Sequence, residues 1–96
     1  MLRYRFSSDA ISDLEAISEY LQARNPEAAD HVVSAIIAAI KRACLFPAIG
    51  PEVGESSPVA GTRKLIDTQY RYAIYYRVVE GTLLVVRVFH GRQSRT

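Results

Sequence analysis

Arg63, Lys64, Arg71, Arg77, Arg87 and Arg92 fall within residues 63–92, a stretch that also holds Tyr75, Phe89 and His90. Guanidinium forks bind carboxylate or phosphate bidentately, and aromatic faces stack on bases or on the guanidinium plane. Interleaved along one surface, these residue types suit a polyanion or an acidic peptide. The same composition also occurs on the solvated face of an ordinary antiparallel sheet, and the residues alone leave both readings open. His90 is the only group in this stretch that titrates near neutrality, and it can serve either proton transfer, target contact or a structural hydrogen bond at a strand end. His31 lies far from it in sequence, and no Cys/His cluster accompanies either histidine, so no metal site is expected. No glycine-rich phosphate cradle is present, and no cofactor is expected.

The elements that must carry these side chains follow from apolar periodicity. From Tyr72 to Val79 a period of two places Tyr72, Ile74, Tyr76 and Val78 on one face, and Ala73, Tyr75, Arg77 and Val79 on the other. From Leu83 to His90 the same rule groups Leu84, Val86, Val88 and His90 against Leu83, Val85, Arg87 and Phe89. Glu80-Gly81-Thr82 joins the two runs, and Gly81 can supply positive φ, so an antiparallel hairpin is expected. If helices cover Ile74, Val86 and Val88, the opposite face presents Arg77, Arg87, Tyr75 and Phe89, with Arg71 at the strand entrance. Thr62 to Thr68 reads as a further strand. Leu2 to Phe6 reads as another, with Arg3 and Arg5 on its exposed side.

Two helices separate the first strand from the rest. Ser7 and Ser8 offer an N-cap and Asp9 an acid for the first turn. Ile11, Leu14, Ile17 and Leu21 then recur at helical spacing as the buried stripe, with Asp13, Glu15 and Glu19 elsewhere on the wheel. Asn25-Pro26 breaks and restarts the helix, because the residue before proline leaves the α region and proline suits the first position of the next helix. Ala29, Val32, Val33, Ile36, Ile37, Ile40 and Cys44 form the second stripe. Pro47 to Gly61 holds three prolines and three glycines and reads as a loop of about fifteen residues. It is either a plain crossover or a mobile functional segment.

The expected fold is α+β, in the order β-α-α-β-β-β, with a helical hairpin packed on one face of a mainly antiparallel sheet. At 96 residues and 49% hydrophobic content, residues 1–96 are expected to form a single domain. One cysteine excludes an intrachain disulfide framework, and no apolar run of membrane-spanning length or signal-like leader appears, which points to the cytoplasm and away from a membrane. The net charge of +2 conceals an asymmetry: residues 1–60 carry five basic and eight acidic groups, a balance of −3, and residues 61–96 carry seven and two, a balance of +5. An acidic partner for the basic half follows from that.

Several segments, in order, resemble the RelE/ParE superfamily of bacterial type II toxin-antitoxin toxins, the ParE branch best. They are Asp13-Leu14 with Ile17 and Tyr20, Asn25-Pro26-Glu27-Ala28-Ala29, Phe46-Pro47-Ala48-Ile49-Gly50, Gly61-Thr62-Arg63-Lys64-Leu65, Tyr72 to Val78, and Val86 to Arg92. The resemblance spans nearly the whole chain. It implies a growth-inhibiting toxin neutralised by a cognate ParD-like antitoxin, in a toxin-antitoxin hetero-oligomer. ParE-like toxins inhibit DNA gyrase, whereas RelE-like toxins enter the ribosomal A site and cut mRNA, so the fold hosts both a binding inhibitor and an endoribonuclease. A third possibility is a non-toxic module that only binds its antitoxin.

Residue chemistry bears on that choice. Cleaving RNA at the ribosome requires a general acid-base pair beside cations that stabilise the phosphate. Cations are available in Arg63, Lys64, Arg77, Arg87 and Arg92, but His90 is alone and Gly91 to Thr96 contains no tyrosine, histidine or acid. The expectation is therefore a non-catalytic protein that binds target or partner through Arg63, Lys64, Arg71, Tyr75, Arg77, Arg87, Phe89 and Arg92. His90, Arg87 and Arg77 are the catalytic candidates if the nuclease reading holds.

Overall fold

A computed structural model describes residues 1–90 of the chain. The elements are β1 (Arg3–Phe6), α1 (Ser8–Arg24), α2 (Pro26–Leu45), β2 (Arg63–Ile66), β3 (Tyr72–Val79) and β4 (Thr82–His90). The four strands form one mixed sheet in the order β1-β4-β3-β2. Its β2-β3 and β3-β4 pairs are antiparallel, and β1 runs parallel to β4. Both helices pack on one face of the sheet and share one core with it.

Local chemistry sets the boundaries. Ser7 caps α1 by accepting the Ala10 N–H at 3.0 Å, and its hydroxyl donates to the Val86 carbonyl at 2.8 Å. One side chain thus starts the helix and closes an orphan carbonyl on the sheet edge. Asn25 both terminates α1, donating its N–H to the Leu21 carbonyl, and caps α2, with Pro26 in the first turn. Glu80 (φ 49°) and Gly81 (φ 77°) occupy the left-handed region in the two-residue turn joining β3 to β4. That is the I′ geometry, which matches strand twist.

The core lies between helices and sheet: Val32, Ile36, Ala39, Ile40, Ala43 and Cys44 of α2 meet Leu65, Tyr72, Ile74, Tyr76, Leu83, Val85 and Val88. Two expectations are corrected. Ile11 is 48% exposed, and Ala10 is the one fully buried residue of α1, whereas seven residues of α2 are buried and supply most of the helical side of the core. In β4 the core residues are Leu83, Val85 and Val88, not an unbroken alternation through Leu84 and Val86. A β-bulge explains the change: Tyr75 pairs with Arg87 but Tyr76 with Val85, leaving Val86 as the extra residue, so facing reverses across it.

The segment between α2 and β2 is clipped to the sheet. Tyr76, buried in the core, donates its hydroxyl to the Pro47 carbonyl at 2.8 Å and accepts the Gly50 N–H at 3.2 Å. Lys64 N–H bonds to Pro51 O and Val53 N–H to Thr62 O, so residues 51–53 pair along the β2 edge. Gly50 is required there, because a Cβ would sit 2.5 Å from the Lys64 carbonyl oxygen. Residues 47–53 of this loop are thus fixed to the sheet.

Candidate functional site: the outer face of the sheet

The face turned away from the helices is built from cross-strand rows. Residues in register share a face, so β1, β4, β3 and β2 contribute neighbours in that order. One row is Arg5, Leu84 and Arg77, and the next, beyond the bulge, is Arg87, Tyr75 and Lys64. A third holds Phe89, Ala73 and Ile66, and Arg3 lies beside Thr82 at the other end. Arg3, Arg5, Lys64, Arg77 and Arg87 are thus gathered on one surface from all four strands. The basic face read from the hairpin exists, and it is wider than the hairpin.

The two rows differ in freedom. In the inner one, the Lys64 ammonium stands 5.9 Å from the Tyr75 ring centroid, Tyr75 meets Phe89 edge-on at 5.8 Å, and the Arg87 guanidinium lies 4.4 Å over the Phe89 ring. Each cation-ring contact contributes roughly 0.5–1 kcal/mol at partly exposed sites. Arg87 is further engaged by Asp13 of α1: Nε donates to Oδ2 at 2.8 Å and Nη2 to Oδ1 at 2.9 Å. Asp13 Oδ2 also accepts the Val88 N–H at 2.9 Å. These hydrogen bonds raise the Arg87 pKa above its ordinary value against the opposing effect of partial burial. Tyr75 is fully buried, which corrects the expectation that it presents an open ring; Lys64 and Phe89 both pack against it.

In the outer row Arg5 and Arg77 are both exposed, as is Arg3. Among the described residues none of the three forms an ion pair; the ion pairs there are Arg63 with Glu52 and Arg87 with Asp13.

The remaining expected residues are placed elsewhere. Arg63 pairs in register with Tyr76 and so leaves the outer rows; its Nη1 donates to the Gly50 carbonyl at 2.7 Å and Nη2 reaches Glu52 at 3.3 Å, bracing the loop. Arg71 sits in the β2-β3 connection at φ 65°, its N–H bonded to Asp67 O, while the buried Asp67 carboxylate accepts the Gln69 and Tyr70 N–H groups. His90 is in register with Tyr72, a core residue, and packs edge-on against it at 5.1 Å. The histidine therefore belongs to the helix-covered face, opposite Arg87 and Lys64. Arg92 lies outside the described residues. An open groove of about 590 Å³ beside the loop, lined by Glu52, Glu55, Arg63 and Arg77 among others, mixes acids with bases and is not a dedicated anion pocket. No group of three potential metal ligands occurs among the described residues, and none of the described helices is long and apolar enough to cross a membrane.

Asp13 and Arg5 were not singled out by the sequence as site residues. Asp13 read as one of three acids on a solvated helix face. Arg5 was visible as an exposed strand cation, but its neighbours depend on the parallel β1-β4 pairing.

Two helices on one face of a four-stranded mixed sheet, in the order β-α-α-β-β-β, match the fold that the resemblance to the RelE/ParE superfamily implies. A family model described as the ParE toxin of the type II toxin-antitoxin system parDE matches residues 4–95. The chain belongs to this ParE toxin family. A solved structure, the "Chromosomal ParDE TA system from P. aeruginosa", superposes with a TM-score of 0.74 at 24% identity, covering 94% of this chain and 96% of that one. At that identity the likeness speaks for the fold. No curated protein sequence matches the chain significantly.

Proposed function

We propose that this ParE-family toxin acts in the cytoplasm on DNA gyrase, as a binding inhibitor that docks through the outer face of its sheet and is neutralised by a cognate ParD-like antitoxin. The observation that carries this reading is the division of labour between the two sheet faces. Arg3, Arg5, Lys64, Arg77 and Arg87 occupy one, while His90 is in register with a core tyrosine on the other. Proton transfer to a phosphate held by the cations calls for a base within hydrogen-bond reach of it. The sheet itself separates His90 from that position. A basic surface carried on a paired sheet, with Arg87 held by Asp13, fits protein docking, where preorganisation lowers the cost of binding.

The antitoxin has apolar footholds away from that face. Ile11 and Tyr20 are exposed on α1, and Leu45 and Phe46 are exposed at the end of α2. A segment with apolar anchors and acidic residues suits both the helical hairpin and the basic sheet. The test is inducible expression with and without the neighbouring antitoxin gene. DNA-damage signalling that the antitoxin suppresses supports the reading; translation arrest with A-site cuts in mRNA supports a ribosome-dependent nuclease instead, and harmless expression supports a module that only binds its antitoxin.

A further inference from the structure

The two rows of the outer face are unequal, and we infer that the contact with the target is made by the Arg5-Leu84-Arg77 row, which receives an acidic segment of the target protein. This deepens the gyrase reading and rests on it. Arg5 comes from β1 and Arg77 from β3, each in register with Leu84 of the β4 strand between them. With neighbouring strands about 4.8 Å apart, their backbones are separated by roughly 10 Å. The two guanidinium forks flank Leu84, which is 9% exposed. Carboxylates spaced three or four residues apart on a helix, or two apart on a strand, span such a gap with an aliphatic contact between them.

Availability separates the rows. Arg87 already spends Nε and Nη2 on Asp13 and lies over Phe89, and Arg63 is committed to Gly50 O and Glu52. Arg5 and Arg77 have no such partner among the described residues and are exposed. Engaging them costs no existing ion pair, whereas recruiting Arg87 leaves Asp13 partly buried and uncompensated. The neighbouring rings decide between a protein and a nucleic acid. Single-stranded nucleic acid needs open aromatic faces on which bases stack. Tyr75 is buried, Phe89 is covered by Arg87, and the Arg5-Leu84-Arg77 row contains no ring. With base stacking disfavoured, two free guanidinium groups flanking a leucine suit charge-assisted, bidentate recognition of carboxylates on a protein segment.

The experiment titrates the full-length toxin against DNA-free gyrase, comparing Arg5→Glu, Arg77→Glu, the double variant, Arg5→Lys and Arg77→Lys, with Lys41→Glu on the exposed side of α2 as a charge control. Each reversal should weaken gyrase binding at least about tenfold, with the loss shrinking at high salt. The lysine variants should retain part of the affinity and Lys41→Glu should match the unaltered protein. Thermal melting of all variants should coincide, since both arginines are exposed. Binding by the unaltered toxin that survives the double reversal overturns the assignment of this row and leaves the gyrase reading standing. No binding by the unaltered toxin overturns both. Loss of affinity for a single-stranded RNA oligonucleotide with gyrase binding intact assigns the row to nucleic acid and also overturns the inference.

Discussion

Asp13 has the most consequential side chain outside the basic rows, because three donors converge on its carboxylate from the part of β4 that lies past the end of its pairing with β1. Its side chain is 14% exposed and that of Arg87 33%, so the pair is screened less than a surface ion pair. Hydrogen bonds to charged groups contribute about 1.5–3 kcal/mol, and Asp13→Ala removes all three. We expect a loss on the order of 3 kcal/mol in urea unfolding, with a smaller loss for Asp13→Asn, which still accepts a hydrogen bond. A loss below about 0.5 kcal/mol for the alanine variant contradicts this assignment. A second residue-scale expectation concerns alkali. Burial first, then the nearby Tyr20 and Asp67, pushes the Tyr72 phenol above its ordinary 10.0, and burial pushes the Cys44 thiol above 9.0. Both groups keep their protons longer in the folded chain than in the unfolded one, so their contributions are complete at neutral pH. They are lost as pH climbs past about 9 for the thiol and about 10 for the phenol. Tyr72→Phe should flatten the fall in stability above pH 10, and an unchanged slope counts against it.

At the scale of elements, the clip between the residue 47–61 segment and the sheet is the most exposed to test. Tyr76→Phe strips a half-buried carbonyl and a buried amide of their partner at once, and should cost about 1–3 kcal/mol. Gly50→Ala forces its Cβ to within 2.5 Å of the Lys64 carbonyl unless the loop lifts off, and should open the Pro51-Lys64 pairing. Faster amide exchange at Lys64 in that variant is the expected readout; unchanged protection shows that the loop yields without unclipping. The elements themselves were largely legible. Ser7, Asn25-Pro26 and the apolar spacing marked both helices, and Gly81 marked the hairpin, since caps and breakers act over a few residues. The bulge at Val86 left no trace, because Leu83 to Val86 are apolar on both sides of the strand and an extra residue in such a run leaves the pattern unchanged. The helix register of Ile11 failed for a related reason: periodicity reports one face as apolar without reporting whether anything lies against it.

For the whole molecule, the chain's opposite charges resolve into geometry. The acidic residues 1–60 include β1, whose two arginines join the basic sheet face, and α1, whose Asp13 neutralises one cation of that face. These two contacts link positions 5 with 84 and 13 with 87, and nothing local encodes them. The sequence therefore revealed a basic hairpin, but neither which of its arginines are free nor the arginine from the opposite end of the chain that completes the row. The same separation of faces underlies the functional account: cations on one side, the histidine with the core on the other. The most direct measurement is a supercoiling assay with purified toxin, gyrase and relaxed plasmid, alongside A-site cleavage in a translating extract. The account predicts blocked supercoiling or accumulated cleaved DNA at stoichiometric toxin, reversed by the cognate antitoxin, with mRNA intact. Normal supercoiling at stoichiometric excess, together with mRNA cuts that vanish in His90→Ala, would contradict it.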